Sequence, residues 1–232
     1  MRGALEVGKE PGSWNRRNFW APEVVRWDGR YYLYYTAMPD GTPGNEGNRV
    51  GVAVADNPKG PYQDVGIVIP EAAIDGSPYR HSDGSLWIYF TVEFGNALGL
   101  KPGSVCVHRL WNPVEVDGPP QVLFRKYEWQ EGPCIYPDGD RLCLLFSTGN
   151  WGDETYTIRW AAGDRPDGDF VESEEVLLKT TELIKGPGHC NWFTGPDNRP
   201  WLVYHAWDPA HTARMPRIAP LIAECGGLRV EG

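Results

Sequence analysis

Short stretches of alternating apolar and polar residues, broken by tight-turn dipeptides, run through the whole chain. Residues 19–37 read FWAPEVVRWDGRYYLYYTA, two alternating stretches joined at Asp28-Gly29, which predicts a β-hairpin. GVAVADNPKGPY follows as a third strand and a Gly-Pro turn. The plan then returns three times. IDGSPYRHSDGSLWIYFT turns at Asp83-Gly84 and is followed by SVCVHRL. EGPCIYPDGDRLCLLFSTG turns at Asp138-Gly139, and the following TYTIRWAAGDRPDGDF echoes GVAVADNPKGPY. GHCNWFTGPDNRPWLVYHAW is followed by PRIAPLIAE.

Self-similarity at a period of about 55 residues points to a repeat architecture. Each unit reads as one antiparallel blade of three or four strands, so the predicted fold is an all-β β-propeller with four visible blades. The boundaries fall at residues 19–70, 71–125, 126–180 and 181–232, with 1–18 a remnant or closing strand. No linker or low-complexity stretch divides the chain, which predicts a single domain over residues 1–232. A layered sandwich would not repeat APEV, GSPY, GPCI and HCNW ahead of successive hairpins.

Composition supports strands over helices. Gly (28), Pro (21), Trp (11) and Tyr (11) are plentiful and Met (3) is scarce. The formal net charge of -9 would repel a phosphate backbone, so nucleic acid is not an expected partner. No apolar run approaches the roughly 20 residues that span a bilayer, and MRGALEVGKEPGS carries no hydrophobic leader segment. The expectation is a soluble, cytoplasmic chain without a membrane partner. Five cysteines, Cys106, Cys134, Cys143, Cys190 and Cys225, form no CxxC pair and read as buried free thiols.

Superposing the units by sequence places Trp20, Asp75, Glu131 and His189 at one position, where the first strand of each blade begins. Paired carboxylates and an aromatic ring suit sugar chemistry, because glycoside hydrolysis uses two carboxyl groups and sugar rings stack on Trp. Each residue alone has a plainer reading. Asp75 caps a turn with Gly76, Glu131 is a loop carboxylate, and His189 is a core histidine. Four residues at one repeat position are harder to explain that way.

The ordered series FWAPEV, DGRYYLYYTA, GVAVADNPKGPY, IDGSPYRHSDGSLWIYF, EGPCIYPDGDRLCLLFS, GPGHCNWF and LVYHAW resembles glycoside hydrolase family 43 over about residues 14 to 230. The resemblance implies a five-bladed propeller that cleaves α-L-arabinofuranosyl or β-D-xylosyl linkages with inversion, acting on a carbohydrate substrate. It implies that Glu131 is the general acid and that Asp75 orients it and tunes its pKa. It places His189 beside a calcium ion held largely through water. It also makes Trp20 and Trp151 sugar-stacking walls and Arg214 a pocket residue, with Arg217 close enough to compete for that last place.

The family's general base is an Asp one blade upstream of WAPEV, and before Asp28 this sequence has no aspartate. An inverting reaction needs a carboxylate roughly 6.5–9.5 Å from the acid to activate water. Three explanations are open. The first is a shortened chain; the second is a four-bladed variant using Glu6, Glu10 or Glu23, although strand alternation points Glu23 away from Trp20. The third is a homo-oligomer built on exposed blade edges. A glycosidase is the expected function. The alternatives are a catalytically impaired fragment or carbohydrate-binding propeller without a base, and a protein-interaction propeller.

Overall fold

In the computed structural model, residues 5, 8–224 and 226–231 are described. Among them the regular structure is all strand. Two compact units divide the chain, Met1–Arg125 and Lys126–Gly232.

The first unit holds two four-stranded antiparallel sheets. One runs in the order β1 (Arg17–Trp27), β2 (Arg30–Met38), β3 (Arg49–Ala55), β4 (Gln63–Ile69). The other comprises β5 (Ala73–Arg80), β6 (Leu86–Val92), β7 (Val105–Asn112) and β8 (Glu115–Phe124). The second unit repeats the arrangement. Its sheets are β9 (Gln130–Asp138), β10 (Arg141–Thr148), β11 (Thr157–Gly163), β12 (Val171–Glu172), then β13 (Lys185–Thr194), β14 (Pro200–Trp207), β15 (Arg214–Glu224), β16 (Gly227–Val230). In every sheet, strands adjacent in sequence pair, which is the blade plan of a β-propeller. The sheets fall within a few residues of the four repeats read from sequence.

The turns follow their residues. Trp27 pairs with Arg30 across Asp28-Gly29, both at positive φ, the two-residue turn whose twist suits a hairpin. In the third blade Asp138 itself pairs with Arg141, so the loop is Gly139-Asp140, one residue later than the sequence suggested. The apolar faces close on each other. Tyr34, Val50 and Val52 pack with Ala73, Ile88 and Phe90 in the first unit, and Cys143, Leu145 and Trp160 pack with Leu202, Tyr204 and Leu221 in the second. Cys106, Cys134, Cys143 and Cys190 are buried free thiols, whereas Cys225 lies outside the described residues.

One irregularity recurs in all four blades. The first strand pairs with the second through Trp20↔Thr36, Ile74↔Thr91, Glu131↔Ser147 or Gly188↔His205, and then carries a β-bulge before pairing resumes. The residue that opens each bulge, Ala21, Asp75, Gly132 or His189, has positive φ. Trp20 and Glu131 therefore share one position of the repeat, and Asp75 and His189 share the next. The single position predicted for all four is corrected by strand pairing: Ile74 and Gly188, not Asp75 and His189, stand where Trp20 and Glu131 stand, so the sequence superposition is offset by one residue in the second and fourth units.

Within each unit the bulge also ties one blade to the next. Asp75 N–H donates to Thr36 Oγ1 (3.1 Å), and His189 N–H donates to Ser147 Oγ (2.8 Å). Thr36 and Ser147 are fully buried, so removing either hydroxyl takes away a hydrogen bond that joins one blade to the next. Thr36→Val and Ser147→Ala are expected to cost about 1–3 kcal/mol each in urea unfolding, with Thr36→Ser close to wild type.

Candidate active site

In the first unit the candidate residues sit around the bulges of β1 and β5. Trp20, the last paired residue before its bulge, is 39% exposed. Asp75 opens the next blade's bulge at φ 59, and its side chain is buried. Asp is among the few residues that tolerate this left-handed backbone, because its short polar side chain bonds locally. Its position thus follows from the backbone as much as from any chemistry.

Glu6, Glu10 and Glu23 are the carboxylates that a four-bladed variant would use as base. Glu6 lies outside the described residues. Glu10 is exposed before β1, and its carbonyl accepts a backbone bond from Ser13. Glu23 pairs with Tyr34, two residues from the Thr36 that faces Trp20, so the bulge returns Glu23 to the same face as Trp20. Simple alternation from Trp20 gives the opposite answer and is corrected here. Ser77 Oγ donates to Glu23 Oε1 at 3.2 Å.

The second unit gathers more of the candidates. Glu131, half-buried on β9, accepts hydrogen bonds from Tyr156 Oη to Oε1 (2.5 Å) and from Trp129 Nε1 to Oε2 (2.7 Å). Tyr156 is stacked on His205, with centroids 5.8 Å apart and planes at 14°. His205 Nε2 lies 3.4 Å from Arg214 Nη1, and the Arg214 guanidinium sits 4.9 Å over the ring of Trp151, itself 53% exposed. Glu131, Arg214 and Trp151 are therefore linked through Tyr156 and His205. Arg217 pairs with Tyr204, at odd spacing from Arg214 on the same strand, and its Nε is buried without a partner.

His189 packs beside Gly132, the residue after Glu131: a Cβ on that glycine would lie 3.1 Å from His189 Cγ. Among the described residues no three His, Cys, Asp or Glu side chains gather as metal ligands. A cavity of about 610 Å³ is lined by Arg141, Asp164, Arg165 and Asp169, but it opens at the β10 end opposite the Ser147–Glu131 pair.

Tyr156, Trp129 and His205 were not singled out from sequence. Trp129 and Glu131 are two residues apart, and Tyr156 immediately precedes β11, so their meeting depends on strand pairing. Thr148 pairs with both Gln130 and Thr157, bringing the two outer segments to the same end of the blade. No motif marks that juxtaposition.

Antiparallel four-stranded blades define a β-propeller, and one of its blades holds a half-buried carboxyl between an indole N–H and a phenol O–H. The family model described as glycosyl hydrolases family 43 matches residues 4–224, and the chain belongs to that family. Beta-D-galactofuranosidase xynD of Aspergillus niger is 28% identical over 92% of this chain and 64% of its own length. The extracellular endo-alpha-(1->5)-L-arabinanase of Thermotoga petrophila is 30% identical over 72% of this chain and 40% of its own. Beta-xylosidase of Xylanibacter ruminicola is 34% identical over 75% and 63%. The chain thus spans 40–64% of the length of these three relatives. The crystal structure of a thermostable family-43 glycoside hydrolase superposes with a TM-score of 0.85 at 24% identity, covering 99% of this chain and 80% of the other.

Burial, Arg214 and His189 lower the pKa of His205 from its ordinary 6.5 to about 4. The folded state therefore holds this ring neutral where the unfolded chain binds a proton. Stability from His205 is present above pH 6.5 and is lost as pH falls towards 4. The acid-side loss of urea stability, compared between wild type and His205→Gln, should be shallower in the variant over that window.

Proposed function

We propose that the chain is a glycoside hydrolase acting with inversion on arabinose- or xylose-containing oligosaccharides or polysaccharides. The observation that carries this reading is Glu131, a half-buried carboxyl with a donor on each oxygen, in a unit that also presents an exposed Trp151 beneath the Arg214 guanidinium. Relatives named as an arabinanase and a xylosidase support the substrate class.

In this reading Trp20 and Trp151 bind sugar rings through their apolar faces, and Arg214 supplies donors to sugar hydroxyls. Glu131 gives its proton to the glycosidic oxygen as the bond to the anomeric carbon breaks. Water takes that carbon from the opposite side, its proton passing to a second carboxylate. Asp75 is taken in the role that the resemblance implies, tuning the acid. Calcium enters only as an ion held through water near His189, and a melting temperature unchanged by chelator would remove it from the reading.

Release of 4-nitrophenol from its α-L-arabinofuranoside and β-D-xyloside tests the activity. Wild type should release it from at least one. Glu131→Gln should lose about 10²–10⁴-fold on substrates with poor leaving groups and much less on activated ones, because only the former depend on protonation. Equal losses on both would remove Glu131 from the acid role. No release from folded wild type, together with protection from melting by arabinose or xylose, would indicate a binding propeller instead.

A further inference from the structure

Glu131 is approached by two different kinds of donor, and each is fixed by its own surroundings. Trp129 Nε1 bonds Oε2 at 2.7 Å, and the Trp129 carbonyl accepts from Thr148 Oγ1 at 2.8 Å. The neighbouring Gln130 side chain, fully buried, accepts from the Tyr127 N–H (2.7 Å) and donates to the Tyr127 carbonyl (3.2 Å). These bonds lock the turn that delivers the indole.

Tyr156 is held more tightly still. It is 1% exposed, with His205 stacked on its ring. Gly188 lies so close that a Cβ there would sit 1.7 Å from Tyr156 Cε1. Packing fixes the ring, and only the hydroxyl proton is left to turn.

We propose that Tyr156 and Trp129 are positioning residues for Glu131 that choose which carboxyl oxygen carries the acid proton. The indole N–H can only donate, so Oε2 is held as an acceptor and the proton resides on Oε1. The Tyr156 hydroxyl both donates and accepts, so it accommodates either state of Oε1. When Glu131 acts, the Oε1–H bond breaks, the proton goes to the glycosidic oxygen, and that oxygen keeps the electron pair of the cleaved C–O bond. The carboxylate left behind receives the Tyr156 O–H. That bond strengthens as charge develops on Oε1, so it favours the transition state over the ground state.

This inference rests on the glycosidase reading, and its test separates the two. Tyr156→Phe keeps the ring between Gly188 and His205 and removes only the oxygen. Losing a donor to the carboxylate should move the alkaline limb of the kcat/KM profile up by about one pH unit. The kcat should fall about tenfold with KM within about twofold, most on poor leaving groups. Trp129→Phe is the second variant and should shift the limb in the same direction.

The readout that does not need turnover is the ¹³C titration of the Glu131 side-chain carboxyl, assigned by its loss in Glu131→Gln, in folded wild type and Tyr156→Phe. A midpoint raised by Tyr156→Phe supports the positioning role. Unchanged midpoint and unchanged alkaline limb in both variants would overturn it. A raised midpoint in a chain that hydrolyses neither substrate would sink the glycosidase reading while leaving the placement of the carboxyl intact.

Discussion

The β-bulge at the start of each first strand is the constraint from which the rest of each unit follows. It inserts one residue at positive φ against a partner strand that has none to spare. In β5 and β13 the amide of the residue that opens the bulge donates to a buried hydroxyl on the second strand of the preceding blade: Thr36 for Asp75 and Ser147 for His189. The irregularity that breaks one sheet's register thus becomes a bond to its neighbour. Left-handed backbone at a non-glycine residue costs of order 1–3 kcal/mol and persists only where its surroundings over-determine it. The buried hydroxyl bond and the packed apolar faces on either side are such surroundings.

The same bulge sorts the chemistry. Residues just before it, Trp20 and Glu131, pair with Thr36 and Ser147. Residues that open it, Asp75 and His189, are held by their backbone conformation. Gly132 opens the bulge beside Glu131, and the ring of His189 takes up the space a side chain would need there. One backbone device, repeated, delivers different side chains because the repeats have diverged at two adjacent positions.

Around Glu131 the electrostatics are arranged by neutral groups as much as by charged ones. His205 lies between Tyr156 and Arg214, and the guanidinium together with burial keeps its ring uncharged through the neutral range. A neutral imidazole can stack on the tyrosine without placing a second cation near the carboxyl. Arg214 turns its flat face to Trp151, a pairing of cation and ring that holds both long side chains in place. Tyr156, His205, Arg214 and Trp151 thus form one connected wall.

The class of fold and the family were legible in the sequence. Those depend on local signals that recur: alternating strands, Asp-Gly turns and the spacing of the repeat. It also placed Glu131, Asp75, Trp20 and Arg214 among the candidates. The fourth strands were less legible: β12 is two residues long, and β4 exposes Val65 and Ile67 where a buried pattern would be sought. Tertiary structure alone decided that Asp75 and Glu131 occupy different bulge positions, that Glu23 faces with Trp20, and that Tyr156 and Trp129 bracket the carboxyl. A bulge costs one residue of register and leaves no mark in composition or periodicity. Tyr156 is 25 residues from Glu131 along the chain, and only the pairing of β9 with β10 and β10 with β11 brings its hydroxyl to Oε1.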